Sequence, residues 1–171
     1  MTIPPIQLHS LSDADIAIFE RWLHAAHVAP WYTDPESWLR EVRLRESEFR
    51  FVHHFIAWID EQPIGFCQFY CCGDSGEAEF AAFPPATTYS IDYLIGDADY
   101  LGRGYGKAML GELIALIIRE TNAELIVVQP ETENHASIAL LKSLGFAYHP
   151  EHPVLCLTVG RQALGSRASG T

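Results

Sequence analysis

The chain has 171 residues, 49% of them apolar, and a formal charge of −11 from 22 acidic and 11 basic side chains. That length fits a single domain over residues 1–171, burying roughly 70% of the unfolded-chain surface. Basic residues gather only in a mixed run from Arg40 to Arg50, which argues against nucleic-acid binding, and no apolar run reaches the ~18 residues of a membrane span.

The first residues, MTIPPIQLHS, have neither a basic n-region nor an apolar h-region, so a cytoplasmic protein without a signal peptide is expected. In that reducing compartment Cys67, Cys71, Cys72 and Cys156 read as small core residues. Their spacing is not that of a zinc ribbon, and no metal site is expected.

Ile6 to Leu8 reads as a short first strand. Ser12 is a candidate N-cap, with Asp13 and Asp15 in the first turn. Ile16, Phe19, Trp22 and Leu23 then recur at helical spacing, which predicts a helix to about Ala26. Asp34 followed by Pro35 reads as a second cap and first turn, with Trp38, Leu39 and Val42 on the helix behind it. HHFIAWID and IGFCQFY, joined by EQP, predict a hairpin, and His53 and His54 at its start read as structural. Cys72 to Thr88 has no period and reads as a long irregular loop, a kind of segment that often carries function.

Tyr89 to Ile95 returns to strand composition, and Lys107 to Glu120 is strongly helical. ELIVVQP is a short buried strand, Asn134 caps a helix to about Ser143, and Gly145 suits its C′ position. Val154 to Val159 is the last strand, and residues from about 160 onward read as a tail.

Between strand and helix lies LGRGYGKAML, with Gly102, Gly104 and Gly106 alternating. Backbone N–H groups at a helix N-terminus favour phosphate, and missing side chains permit close approach. A dinucleotide fingerprint fails because its third glycine would fall at Lys107; a Walker loop fails because Ala108 follows that lysine. From these residues alone the run is either another phosphate cradle or a glycine-rich turn that starts a helix.

At this point the chain resembles the GNAT N-acetyltransferases. LGRGYGKAML is similar to their pyrophosphate loop, with Gly104 and Gly106 matching its two glycines and Leu101 standing where Gln or Arg is usual. NHASIALLKSLGF is similar to their second signature, with Ser137 in the alanine slot. Within the family the likeness is greatest to aminoglycoside 6′-N-acetyltransferases and their relatives, carried by Trp31-Tyr32, EQPIGFCQFY and SIDYLIGDADYLGRGYG.

The resemblance implies an α+β fold: a central mixed, mostly antiparallel sheet with a splayed strand pair, flanked by helices. It implies acetyl-coenzyme A as co-substrate, held by Leu94, Ile95 and Gly96 along the pantetheine, by Gly102, Arg103, Gly104, Tyr105, Gly106 and Lys107 at the phosphates, and by Asn134. The N–H groups of Leu94 to Gly96 are expected to polarise the thioester carbonyl, an oxyanion-type role. Arg103 reads equally well as a solvated loop residue.

Acetyl transfer needs a neutral amine, hence a group that accepts a proton. Asp92 shares one strand face with Leu94, amid apolar neighbours, so it is either a paired structural carboxylate or the acid–base group. The resemblance assigns it to the amine. Trp31 and Tyr32 would cover or stack on a small-molecule amine, or belong to the core, and Asp74, Glu77 and Glu79 would draw a polycation or simply be solvated. The tyrosine that often protonates the thiolate in this family falls at Leu141.

Two alternatives stand beside an aminoglycoside acetyltransferase. One changes the acceptor to a hydroxylysine-type siderophore precursor, a polyamine or a protein amine. The other, suggested by Leu141, is a non-catalytic acyl-coenzyme A-binding module. A monomer or homodimer is expected.

Overall fold

The structure is a computed structural model that describes residues 2–160. The expected tail from residue 161 lies outside the described residues.

Seven strands form one sheet in the order β1-β2-β3-β4-β5-β7-β6. They are β1 (Gln7–Ser10), β2 (Val52–Ile59), β3 (Gln62–Cys71), β4 (Thr88–Ile95), β5 (Leu125–Val128), β6 (Ala147–Tyr148) and β7 (Leu155–Thr158). Every neighbour pair is antiparallel except β4–β5. That parallel pair runs only from Thr88↔Leu125 to Ser90↔Val127. From Ile91 onward β4 stays paired with β3 but has left β5, so the sheet splays where Asp92 to Ile95 stand.

The alternation of side chains along β2, β3 and β4 sends them to two cores. On one face α4 (Tyr105–Glu120) buries Met109, Leu110, Leu113 and Ile117 against Ala57, Cys67, Phe69 and Ile91. On the other, α1 (Ile16–Leu23) and α2 (Pro35–Arg43) bury Phe19, Trp22, Leu23, Leu39 and Val42 against Ile56, Phe66 and Leu94. Asp92 shares this second face. The mixed sheet, splayed pair and flanking helices are those the resemblance implied.

Local chemistry accounts for the element ends. The backbone N–H of Ser12 donates to Asp15 Oδ2 at 2.8 Å, opening the 3₁₀ turn that leads into α1. Asp34 caps α2 by accepting from the Ser37 N–H at 3.2 Å, with Pro35 in the first turn. α1 ends at Leu23, short of Ala26, because residues 25–31 fold into tight turns such as Val28 N–H to Ala25 C=O. The hairpin turns at Asp60 and Glu61 rather than through EQP, and Pro63 lies in β3 opposite Trp58, where the register shifts.

The stretch expected as a long irregular loop is instead pinned down. α3 (Cys72–Ser75) is a single turn, Ala78–Phe80 forms a 3₁₀ turn, and Phe80 and Phe83 are buried with Cys72, Val127 and Val154. α4 starts at Tyr105, two residues before Lys107, directly after its left-handed N-cap Gly104. β6 has no sequence signal, since both its residues are exposed. α5 (His135–Ser143) runs as expected, with Gly145 at φ 99°. No helix among the described residues is long and apolar enough to cross a membrane.

Candidate active site

The splay of β4 from β5 leaves a groove of about 350 Å³. Its floor is β4, through Tyr93, Leu94 and Ile95; one end is the start of α4, through Gly102, Gly104, Gly106 and Lys107; one wall is Asn134 and Ser137 at the start of α5. Gly104 is the N-cap of α4 at φ 87°, a conformation that costs any other residue strain, and a Cβ there would come within 2.9 Å of Ile3 Cδ1. The first N–H groups of α4 have no carbonyl within the helix and open beside Lys107. Asn134 accepts from the Ser137 N–H at 3.2 Å and so caps α5, while its amide also lines the groove.

The open edge of β4 is held from across the groove. The Tyr32 hydroxyl donates to Tyr93 C=O at 2.7 Å, and His27 Nε2 lies 2.8 Å from Ile95 C=O. Strand alternation makes this edge that of Tyr93 and Ile95, since Leu94 and Gly96 face β3. Gly96 spends its N–H on Ile64 C=O at 2.9 Å. The oxyanion-type role expected of Leu94 to Gly96 therefore narrows to Ile95, the one of the three whose N–H faces the groove. Gly96 is a glycine for another reason: a Cβ there would sit 2.0 Å from the Trp22 ring.

A second cavity of about 400 Å³ opens on the α1/α2 face. A polar row crosses three strands on this face: His54 opposite Gln68 opposite Asp92, the last two lining the cavity. His54 Nε2 lies 2.9 Å from Glu41 Oε1 of α2, and Gln68 Nε2 donates to Asp92 Oδ2 at 2.9 Å. The Tyr70 hydroxyl donates to Glu77 Oε2 at 2.7 Å on the same wall. The Asp92 carboxyl is pushed up to about 7, chiefly by burial and also by the charges of Glu41, Glu77 and Glu131, against the pull of the Gln68 bond in the other direction. A carboxyl poised there exchanges a proton near neutral pH. Trp31 is the lining residue common to groove and cavity.

A groove ending in a glycine-capped helix, beside a splayed strand and a buried carboxyl, has counterparts among known proteins. The profile of the acetyltransferase (GNAT) domain matches residues 12–154. The chain belongs to the GNAT acetyltransferase family. It is 25% identical to the aminoglycoside N(6′)-acetyltransferase type 1 of Klebsiella pneumoniae, across 92% of this chain and 84% of that protein, and equally to that of Serratia marcescens. The solved structure of AAC(6′)-Ib with paromomycin and acetyl-CoA matches 98% of this chain and 99% of its own at a TM-score of 0.76 and 25% identity. The aminoglycoside N(6′)-acetyltransferase of Legionella pneumophila, at 16% identity and a TM-score of 0.69, shares the fold.

Measured against the expected GNAT sites, the groove gathers Leu94, Ile95, Gly102, Gly104, Gly106, Lys107 and Asn134, but not Gly96, Arg103 or Tyr105. Arg103 donates to Asp99 C=O at 3.0 Å and lies over the Tyr105 ring, and the Tyr105 side chain is buried in the core. Tyr32 lines the groove, Trp31 both spaces, and Glu77 the Asp92 cavity. Glu79 lies in a smaller recess beyond Tyr70, which Asp92 also lines. Asp74 faces a separate cavity with Tyr89 and Arg119 and is not brought to Asp92. Leu141 carries no hydroxyl and is fully buried in the core.

Sequence reading missed Gln68, Glu41, Tyr70, Tyr93 and Ser137. Gln68 had a usable signal: it is the one amide inside IGFCQFY, the same kind of anomaly that singled out Asp92. The Tyr93 hydroxyl reaches Ser137 Oγ at 2.5 Å across the groove.

Proposed function

We propose that this enzyme transfers the acetyl group of acetyl-coenzyme A to a primary amine of a small polycation, an aminoglycoside 6′-amine first, with Asp92 as the general base. The carrying observation is that Asp92, poised near 7, sits in an acidic cavity that meets the glycine-capped groove at Trp31. The names and bound ligands of the relatives at 25% identity support the acceptor class.

In this reading the coenzyme lies in the groove, its pyrophosphate at the start of α4 and its thioester at the splay. The acceptor enters from the opposite face and meets the thioester through the gap between β4 and β5. Its ammonium gives one proton to Asp92, which frees the lone pair to attack the carbonyl carbon. The C–S bond then breaks. The nitrogen loses a second proton as the amide forms; one proton ends on the thiolate and the other returns to solvent through Asp92. Glu41 and Glu77 attract further ammonium groups of the acceptor.

Tyr93 supports the departure of the thiolate in place of the missing tyrosine at Leu141. Burial raises its phenol to about 12, so it keeps its proton and acts as a hydrogen-bond donor to the sulfur. Release of free thiol from acetyl-coenzyme A, followed with kanamycin, spermidine, lysine and hydroxylysine, tests the whole reading. Fastest turnover with kanamycin is expected. Turnover with none would overturn it, and preference for hydroxylysine or spermidine would move the acceptor class.

A further inference from the structure

The polar row on the α1/α2 face contains an atom that the mechanism above leaves idle. Gln68 is 1% exposed, and its Oε1 is buried with no hydrogen-bond partner among the described residues. Its neighbours do not supply one. His54, opposite it on β2, directs Nε2 to Glu41, and Asp92, opposite it on β4, is itself an acceptor when ionised. While Asp92 is ionised, the orientation of the amide is nonetheless fixed. Turning it over would aim Oε1 at Asp92 Oδ2, acceptor against acceptor, where Nε2 now donates at 2.9 Å. A buried carbonyl without a donor carries an uncompensated desolvation cost that an incoming N–H removes. Gln68 and Asp92 line the same cavity.

We infer that Gln68 forms a two-acceptor cradle with Asp92, its Oε1 taking an N–H from the acceptor amine while its Nε2 holds Asp92 Oδ2 and leaves Oδ1 to receive the proton. The inference rests on the reading of Asp92 as the base. It adds a selectivity that the carboxylate alone does not give. A primary ammonium has hydrogens for Oδ1 and Oε1 and keeps an N–H for Oε1 once Asp92 has taken its proton. A hydroxyl has one hydrogen and leaves one acceptor unpaired. An N-methylated amine retains a single N–H after deprotonation and must crowd its methyl group into the cradle.

Two substitutions separate the two ends of the amide. Gln68→Met keeps the shape and removes donor and acceptor together. Gln68→Glu keeps an acceptor and replaces the donor with a like charge beside Asp92. The groups that also face this carboxyl are Glu41 of α2, His54 of β2, Tyr70 of β3, Tyr93 of β4, Glu77, Glu131 and Tyr32, and they are common to both variants. The measurements are kcat and KM with kanamycin and with its form N-methylated at the acetylated amine, kcat/KM against pH, and acetyl-coenzyme A affinity by calorimetry.

Gln68→Met is expected to lose about 10- to 100-fold in kcat/KM, to move the acid limb up by half a pH unit or more, and to narrow the preference for the primary amine several-fold. Gln68→Glu is expected to move the acid limb up while leaving the KM for kanamycin within about threefold. Acetyl-coenzyme A affinity stays unchanged in both, since Gln68 does not line the groove. A Gln68→Met enzyme with wild-type kcat/KM, acid limb and primary-amine preference would overturn the inference and leave Asp92 as the base. A wild-type enzyme that acetylates no amine would overturn both. Should Gln68→Met fail to fold, an unshifted acid limb in Gln68→Glu decides against the cradle.

Discussion

The two spaces that meet at Trp31 are built in different ways. The groove takes its shape largely from backbone: an open strand edge, a glycine-capped helix start and the cap of α5 lie between Tyr93 and Leu140, and the turns from His27 to Tyr32 close it from the other side. The Asp92 cavity is made of side chains from α2, β2, β3, β4 and the segment after α3, spread from Trp31 to Asp92. A shape held by backbone tolerates changes of side chain but fails when a glycine is replaced. A site held by side chains fails one charge at a time, and its failures depend on pH.

Substitutions on either side should therefore diverge in what they damage. The largest effect is expected from Asp92→Asn, which removes the proton acceptor and should lower kcat/KM for amines by about 10²- to 10⁴-fold, with acetyl-coenzyme A affinity unaltered by calorimetry. Next comes Gly104→Ala. It forces a Cβ onto a residue at φ 87° and toward Ile3, and should weaken acetyl-coenzyme A binding by about 10-fold or more while the acid limb stays in place. A Gly104→Ala enzyme with wild-type affinity would show that the loop is only a helix start.

Tyr93→Phe removes one hydrogen bond at the splay and should lower kcat by about 3- to 10-fold, the deficit shrinking with a thioester of a more acidic thiol. The smallest contrast is between two acidic residues that sequence treated alike. Glu77→Gln should raise KM for a polycation by about threefold, most clearly at low salt, whereas Asp74→Asn, facing another cavity, should change KM by less than about twofold.

The same difference explains what the residues revealed in advance. Strand, glycine loop and capped helix are contiguous, so LGRGYGKAML pointed to a phosphate cradle or a helix start, and the resemblance that it and the Asn134 signature carry implied the groove and the fold. Asp92 was legible because an ionisable side chain inside an apolar strand demands a reason. Its partners were not, because Gln68 lies 24 residues away and meets it only through the β3–β4 register. Glu41 approaches through the packing of α2 on β2, which no local pattern encodes. Gly96 lies off the groove for a related cause: the resemblance set a glycine beside the pantetheine, but no local pattern showed the Trp22 ring packed against it. Asp74 and Glu77 share a composition, and only the turn at α3 sends them to different sides.

The central claim is that Asp92 takes the proton from the amine at the acetylated centre. The direct measurement is kcat/KM against pH, from pH 5 to 9, with kanamycin for the wild type and Asp92→Asn. Burial holds the carboxyl up near 7, so it is protonated and idle below that pH and available as a base above it. The wild type should rise tenfold per pH unit on the acid side and bend near pH 7, and Asp92→Asn should lose that bend with its activity. A wild-type profile without the bend, or an Asp92→Asn enzyme that keeps both rate and bend, would contradict the account.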